Sequence, residues 1–369
     1  MRKPMCLNAA VLAGAVLALV MSVSACAPTA PKTEAGEVVH VLRYASPYTP
    51  GHPLSQADMA WIDYIHTASK GRLKVEPLWA GGLISSEHNM IELRHGVADI
   101  ATITPIYAKG GTHAIRVQSG FYGGERSIDQ QVAVYKCLST HYPELNREIE
   151  GLELLAVQGG NVLGLITRDR KVTKLSDLRG LRIRVPAELV PTMRKLGADP
   201  LDMPMSDVYS SLAKGVIDGV VAPADTLRSL HFGEVARYFN ELHISRGAYP
   251  ARAMSQKKFN TLPKDLQDLL RNSQSVWEEA IKDKMTAAQT SGADYAREQG
   301  MEFLPFDAAE QIRFDGLYNE QAAETARLAQ SDHLNAEGMF TLAQRVVKLL
   351  NSEQGQNIGY DTASVCPKA

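Results

Sequence analysis

Three observations in the 369-residue sequence predict an α/β protein built as two similar lobes, with a long helix spanning both. Short apolar strands alternate with helical stretches through both halves, the pattern of sheets covered by helices. Two segments also echo each other. Leu93-Arg94-His95-Gly96-Val97-Ala98-Asp99-Ile100 leads to Thr104-Pro105, and Leu212-Ala213-Lys214-Gly215-Val216-Ile217-Asp218-Gly219 leads to Ala222-Pro223. Each reads as a helix stopped by a glycine, followed by a short strand and a turn. Finally, a helical pattern runs from about Lys264 to Gln299. At 1.5 Å per residue it would extend roughly 50 Å, more than one lobe needs.

In chain order, Arg2 and Lys3 precede an apolar run from about Ala9 to Val23 that is short for a membrane span, which predicts a cleaved leader over residues 1–25. Residues 26–37 read as a tether, with two prolines and no apolar periodicity. Val38–Ala45 is the first strand and Ser55–Ser69 the first helix. Gly71–Val75 and Gly180–Val185 form a second pair of related strands upstream of the two echoes. Right-handed crossovers predict parallel sheets whose strand ends face each other across a cleft. On this plan the first lobe takes 38–160 and 249–285, and the second takes 161–248 and 286–369. Pro263 opens the long helix, Gly300 closes it, and Ser291-Gly292 is a candidate bend.

Composition narrows the function. A formal net charge of −2 and the lack of a basic cluster exclude nucleic acid as an expected partner. After Val23 no apolar run approaches membrane-spanning length. The sequence has no Gly-x-Ser-x-Gly, His-Glu-x-x-His, Walker, Cys-x-x-Cys or Gly-x-Gly-x-x-Gly motif, so nothing in it argues for an enzyme or a cofactor. His88 and His95 share a spacing of seven but lack a third ligand, and no metal is expected. Asp99 and Asp218 recur at the same helix-strand junction, which points to a structural role. Beyond Cys6 in the leader and Cys26, only Cys137 and Cys366 remain. A disulfide that pins the C-terminal tail and two free thiols both stay open.

The binding chemistry centres on Leu181-Arg182-Ile183-Arg184-Val185. Alternation puts both arginines on one face of a strand, and Pro186 ends the strand just after Arg184. Ligands of open α/β sheets sit beyond the carboxyl ends of strands, so Arg184 is placed for binding and Arg182 is set back. A guanidinium fork makes two parallel hydrogen bonds to one carboxylate, which an ammonium cannot match. The cleft loops on this plan are Ser46–Thr49, Thr104–Tyr107 and Pro223–Asp225. Tyr44, Tyr48, Tyr107 and Phe121 lie at or after strand ends, where rings can enclose a ligand body. Arg168 is a weaker candidate to assist a carboxylate.

The stretch 177–239, DLRGLRIRVP, then LGADPLDMPMSDVYSSLAKGVIDGVVAP, then FGEVARYF, resembles the signature of the solute-binding proteins of tripartite ATP-independent periplasmic (TRAP) transporters, the DctP family. GRLKVEPLWAGGL at 71–83, GVADI at 96–100 and FNTLPKDLQDLL at 259–270 follow in the family's order. The resemblance implies a two-lobe periplasmic binding protein fold (type II-like) and an organic acid whose carboxylate pairs with Arg184. It further implies an apolar contact from Met205 and a cleft-facing loop at Glu87. Val23-Ser24-Ala25-Cys26 resembles a lipobox, which implies a periplasmic lipoprotein anchored through Cys26; ordinary cleavage near Ala25 is the alternative. The implied partners are a small four-helix membrane subunit and a large permease, driven by an ion gradient. Gly164 and Val221-Ala222-Pro223 replace polar positions of sialic-acid-binding members, so the expected ligand is a compact monocarboxylate with an apolar or aromatic body. The rival readings are an ABC-type or sensory receptor, or an exported enzyme acting on an acid.

Overall fold

The structure, a computed structural model, describes residues 31–331, 333–353, 355 and 362–366. The expected leader and Cys26 lie outside the described residues. In chain order the strands are β1 (His40–Ala45), β2 (Leu73–Leu78), β3 (Ile100–Thr102), β4 (Leu152–Gln158), β5 (Leu163–Thr167), β6 (Arg182–Arg184), β7 (Asp199–Leu201), β8 (Gly219–Ala222), β9 (Tyr238–Ile244), β10 (Tyr249–Ser255) and β11 (Glu302–Pro305). They form two sheets, ordered β2-β1-β3-β10-β4 and β11-β9-β5-β8-β6-β7. The sheets are mixed, not parallel as the crossover argument predicts. β10 runs antiparallel to β3 and β4, and β5 runs antiparallel to β8 and β9. Each of these reversed pairings involves a strand that the chain enters directly on crossing from the other lobe, so no helical crossover precedes it.

The duplication is present in a shifted frame. β1 and β6 occupy the same place in their sheets, each flanked by a parallel β2 or β7 and a parallel β3 or β8. The structural counterpart of Arg182 is therefore Arg43, not a residue of 71–75. Asp99 accepts the Arg43 backbone N–H at 2.8 Å, and Asp218 accepts that of Arg182 at 2.9 Å. Both aspartates also pair with the guanidinium beside them. The repeated Gly-Val-x-Asp fragments thus build one strand-start clamp twice.

The main helices are α1 (Pro53–Ala68), α2 (Ile128–His141), α3 (Lys264–Asn272), α4 (Gln274–Glu298), α5 (Ala308–Ala329) and α6 (Ala336–Leu350). The expected long helix is divided at Ser273, where the side chain donates to the Leu270 carbonyl and accepts the Trp61 indole N–H at 2.9 Å. α4 still runs 25 residues and carries Ser291-Gly292 without a break. Gly292 serves a close approach: a Cβ there would stand 2.3 Å from the Ala224 carbonyl oxygen of the second lobe.

Two domain assignments change. The tether is docked from residue 31 onward, since Lys32 bridges Val38 and Glu37 pairs with Arg72. The C-terminal part of 286–369 packs on the first lobe. Met339, Ala343 and Val346 of α6 share a core with Val134 and Leu138 of α2, and Cys137 is bonded to Cys366. An apolar stripe on α6 needs a partner, and the first lobe supplies the open face. Among the described residues no helix is long and apolar enough to cross a membrane.

The first lobe is organised around a fully buried ion pair. Arg252 Nε donates to Asp58 at 2.7 Å, and the same carboxylate accepts the Trp277 indole N–H at 2.9 Å and the Tyr44 hydroxyl. Trp61 and Trp277 stack over it with ring centres 3.7 Å apart, joining α1 to α4. Replacing Asp58 with Ala leaves the Arg252 charge buried without its partner, and should cost about 3–5 kcal/mol in chemical denaturation. A loss below 1 kcal/mol would mean the pair is expendable.

Candidate ligand-binding site

A cavity lies between the carboxyl ends of the strands, where the two lobes meet. Arg184 closes one wall. Pro186 removes the N–H that would continue β6, so the strand stops with the Arg184 side chain at its tip. The residue is 2 % exposed. Its Nε–H donates to the Met203 carbonyl at 3.0 Å, and an Nη2–H donates to the Tyr107 hydroxyl at 2.9 Å. Tyr107 belongs to the first lobe, in the turn after β3, so this bond spans the cleft. Two donors of the guanidinium orient it and the rest stay available; among the described residues no carboxylate lies within ion-pair distance. A buried cation without a counter-charge in contact is costly unless a ligand supplies one.

The cavity measures about 90 Å³. That is about three times a water's share of liquid volume, room for a compact ligand group. Leu54, Leu163, Val221, Met285 and Tyr249 give it apolar walls, and Gln158 and His52 add polar edges. A wider recess of about 490 Å³ shares Tyr48, His52, Tyr107, Met205 and Leu230 with it and leads outward.

Five of the sequence-derived candidates join Arg184 at the cavity: Tyr48, Tyr107, Met205, Pro223 and Asp225. The Tyr48 ring stacks on His52 with centres 4.1 Å apart. Three candidates lie elsewhere. Arg168 follows the far end of β5, because β5 runs antiparallel to β8 and enters the sheet at the cleft; its backbone N–H bonds the Asp218 carbonyl. Phe121 is fully buried in the first lobe, edge-on to Phe340. Glu87 pairs with Lys109 at 2.7 Å and does not line the cavity. Tyr44, weighed with the other aromatics, is spent on Asp58 and Thr102. Gly164 has no room for a side chain, since a Cβ would stand 2.4 Å from the Phe239 ring.

Sequence reasoning missed Arg246, Tyr249 and Glu188. Arg246 and Tyr249 sit on and just after the short connection from β9 to β10, which passes between the lobes. The signal was available: a connection that crosses between lobes must border the cleft. Glu188 follows Pro186 in the turn after β6, and its Cβ packs near Gly120 of the first lobe.

The crossings are pinned by polar side chains. The Asn161 amide donates to Asp225 at 2.9 Å and to the Met285 carbonyl at 2.7 Å. Gln131 brackets Gly160, accepting its N–H at 2.8 Å and donating to its carbonyl at 3.0 Å. Glu125 accepts the Arg246 backbone N–H at 3.2 Å. Burial raises Asp225 to about 6, partly offset by the Asn161 hydrogen bond and by Arg246. Burial likewise raises Glu125 to about 7, against the pull of Gln131 and the Arg246 N–H. Glu188 is raised by burial as well, with Arg246 and Arg184 pulling it back. His52 is lowered by burial to about 3 and is neutral; its Nδ1 accepts the Leu54 N–H. Among the described residues, one group of three metal-type ligands is gathered, Cys137, His141 and Cys366, and its sulfurs are joined in the disulfide.

Two sheets, a cleft between them and an unmatched guanidinium at its floor define a cleft-binding solute receptor. The chain belongs to the bacterial extracellular solute-binding protein family 7, DctP, whose sequence model matches residues 44–327. A solute-binding protein of Roseobacter denitrificans is 30 % identical over 147 residues, covering 39 % of this chain and 45 % of that protein. The monocarboxylate 2-oxoacid-binding periplasmic protein of a Nostoc species is 22 % identical over 275 residues, 71 % of this chain and 74 % of that protein. The alignments span about half the length of the first curated relatives. A TRAP solute-binding protein of Rhodoferax ferrireducens, solved with copurified benzoate, superposes with a TM-score of 0.79 at 19 % identity, covering 87 % of this chain and all of that one.

The raised carboxyl groups give the protein a pH dependence of definite sign. Glu125 and Asp225 hold protons in the fold that the unfolded chain releases near pH 4. The stability they contribute is complete below about pH 4 and is lost as pH rises through 6 and 7. Glu125→Gln should flatten this fall between pH 5 and pH 8 by up to about 3 kcal/mol in denaturant titrations. An unchanged slope would place the Glu125 carboxyl in water.

Proposed function

We propose that this chain is the extracytoplasmic receptor of a TRAP-type transporter, and that it captures a compact monocarboxylate with an apolar or aromatic body. The observation that carries this reading is Arg184, a guanidinium 2 % exposed, oriented by Met203 and Tyr107 and facing a small apolar-walled cavity with no carboxylate paired to it. A bound carboxylate supplies the missing charge through two parallel hydrogen bonds. Closure of the lobes excludes water and strengthens that pair. The relatives that bind a 2-oxoacid monocarboxylate and benzoate support an acid of this size.

In this reading the ligand is released chemically unchanged to the membrane subunits, a small four-helix protein and a large permease, and no ATP is used. The leader over 1–25 exports the chain, and a lipid on Cys26 tethers it at a membrane surface in the periplasm.

The test is a thermal-shift screen of the exported body against organic acids. An acid present at one hundred times its dissociation constant should stabilise the fold by about 2.7 kcal/mol, and Arg184→Ala should abolish the response. Product analysis of the same mixtures should return the acid intact. Stabilisation by sugars, amino acids or metal ions in place of acids would overturn the reading.

A further inference from the structure

Arg246 is the second cation of the cavity, and its surroundings differ from those of Arg184. Its backbone is fixed on the crossing from β9 to β10 by Glu125. Its side chain lies against the Gly160 backbone so closely that a Cβ there would stand 2.5 Å from Nη1. The guanidinium makes no hydrogen bond or ion pair within the described residues. Such a group, half-buried in a cavity wall, presents its donors to whatever the cavity holds.

Two carboxyl groups line the same cavity, Glu188 and Asp225. Arg246 acts on both at range but contacts neither, and Asp225 already accepts from Asn161. A ligand group seated among these three side chains meets donors from one direction and acceptors from the other. A second carboxylate satisfies Arg246 but is repelled by Glu188 and Asp225. An oxo group accepts and has nothing to donate. A hydroxyl does both, accepting from a guanidinium N–H and donating its own hydrogen to a carboxyl oxygen.

We propose that Arg246, with Glu188 and Asp225, forms a hydroxyl-recognising subsite, so that the cavity selects hydroxy-substituted monocarboxylates whose carboxylate is held by Arg184. This rests on the acid-receptor reading and adds a specificity to it. Selection of this kind is strong because a ligand lacking the hydroxyl leaves these donors and acceptors without a partner inside the cavity.

The experiment is calorimetric titration with matched acids: phenylacetate against mandelate, benzoate against 3-hydroxybenzoate, and propionate against lactate, with pyruvate and malonate as oxo and dicarboxylate controls. In the wild type, the hydroxy member of at least one pair should bind about tenfold or more tightly than its parent and its controls. In Arg246→Ala the ratio of the two affinities in that pair should shrink to less than about threefold, whatever happens to the affinity of the parent acid itself. Gly160→Ala, which retains the charge but displaces the guanidinium, should also reduce the gain, and it serves as the readout if Arg246→Ala does not fold. Parents binding as well as their hydroxy partners in every pair would overturn the proposal. So would a gain that survives both variants, or tighter binding of pyruvate or malonate. Failure of every acid, with or without a hydroxyl, would instead sink the reading on which the proposal rests.

Discussion

A guanidinium taken out of water must be matched by an anion or by acceptors, and among the described residues two arginines are buried under opposite terms. Arg252 is 0 % exposed and has its carboxylate built in, with Asp58 at 2.7 Å under a roof of two tryptophans. Arg184 is 2 % exposed and has only a backbone carbonyl and a phenol. Removing either cation from water carries a penalty of several kcal/mol before compensation. The first arginine is compensated within the fold and holds α1, α4 and β10 together. The second is left short of a charge at the place where a ligand can reach it. The same residue type is thus structural or receptive according to whether the sequence places an acid beside it.

The hinge follows from the connectivity. The chain crosses between the lobes from β4 to β5 and again from β9 to β10, and α4 makes a third link by packing on both. Asn161 ties the first crossing to Asp225 and to α4, and Gln131 grips Gly160 from the first lobe. These bonds fix the two lobes to each other where the first crossing passes between them. The Tyr107–Arg184 bond, by contrast, lies across the cleft and exists only when the lobes are near. A ligand that bonds Arg184 from one lobe and meets Tyr107 from the other favours the closed arrangement by its differential contacts.

Much of this was legible in the sequence because it depends on local pattern. Arg184 is found from a strand that alternates and then meets proline. Tyr107 and Pro223 are found from turns that follow short apolar strands, and Asp99 and Asp218 from a repeated junction. The misses have a common physical cause, which is strand direction and chain path. Arg168 and Gly164 lie at opposite ends of β5, and only the antiparallel pairing of β5 with β8 decides which end reaches the cleft. Phe121 follows a short helix at His113–Gln118, not the strand end the sequence reading expects, and its ring has a partner in Phe340, a residue more than two hundred positions away. Arg246 sits on a connection that carries no motif, and its place in the cavity follows from which lobes β9 and β10 belong to.

The C-terminal helices add a constraint that the duplicated plan does not contain. Phe314 and Tyr318 of α5 are buried in the core of the second lobe, whereas Ala322 and Ala326 of the same helix join the core of the first. α6 then packs wholly on the first lobe, and the Cys137–Cys366 bond holds the chain beyond it there. One helix is thus embedded at its two ends in the cores of two different lobes. A packed interior deforms little, so a helix shared in this way opposes large displacements of one lobe from the other. Wide separation of the lobes would tear Phe314 or Ala326 from its core. The apolar burial of α5 therefore limits how far the cleft opens, and the same helix places Tyr318 near Glu188 at the cavity wall.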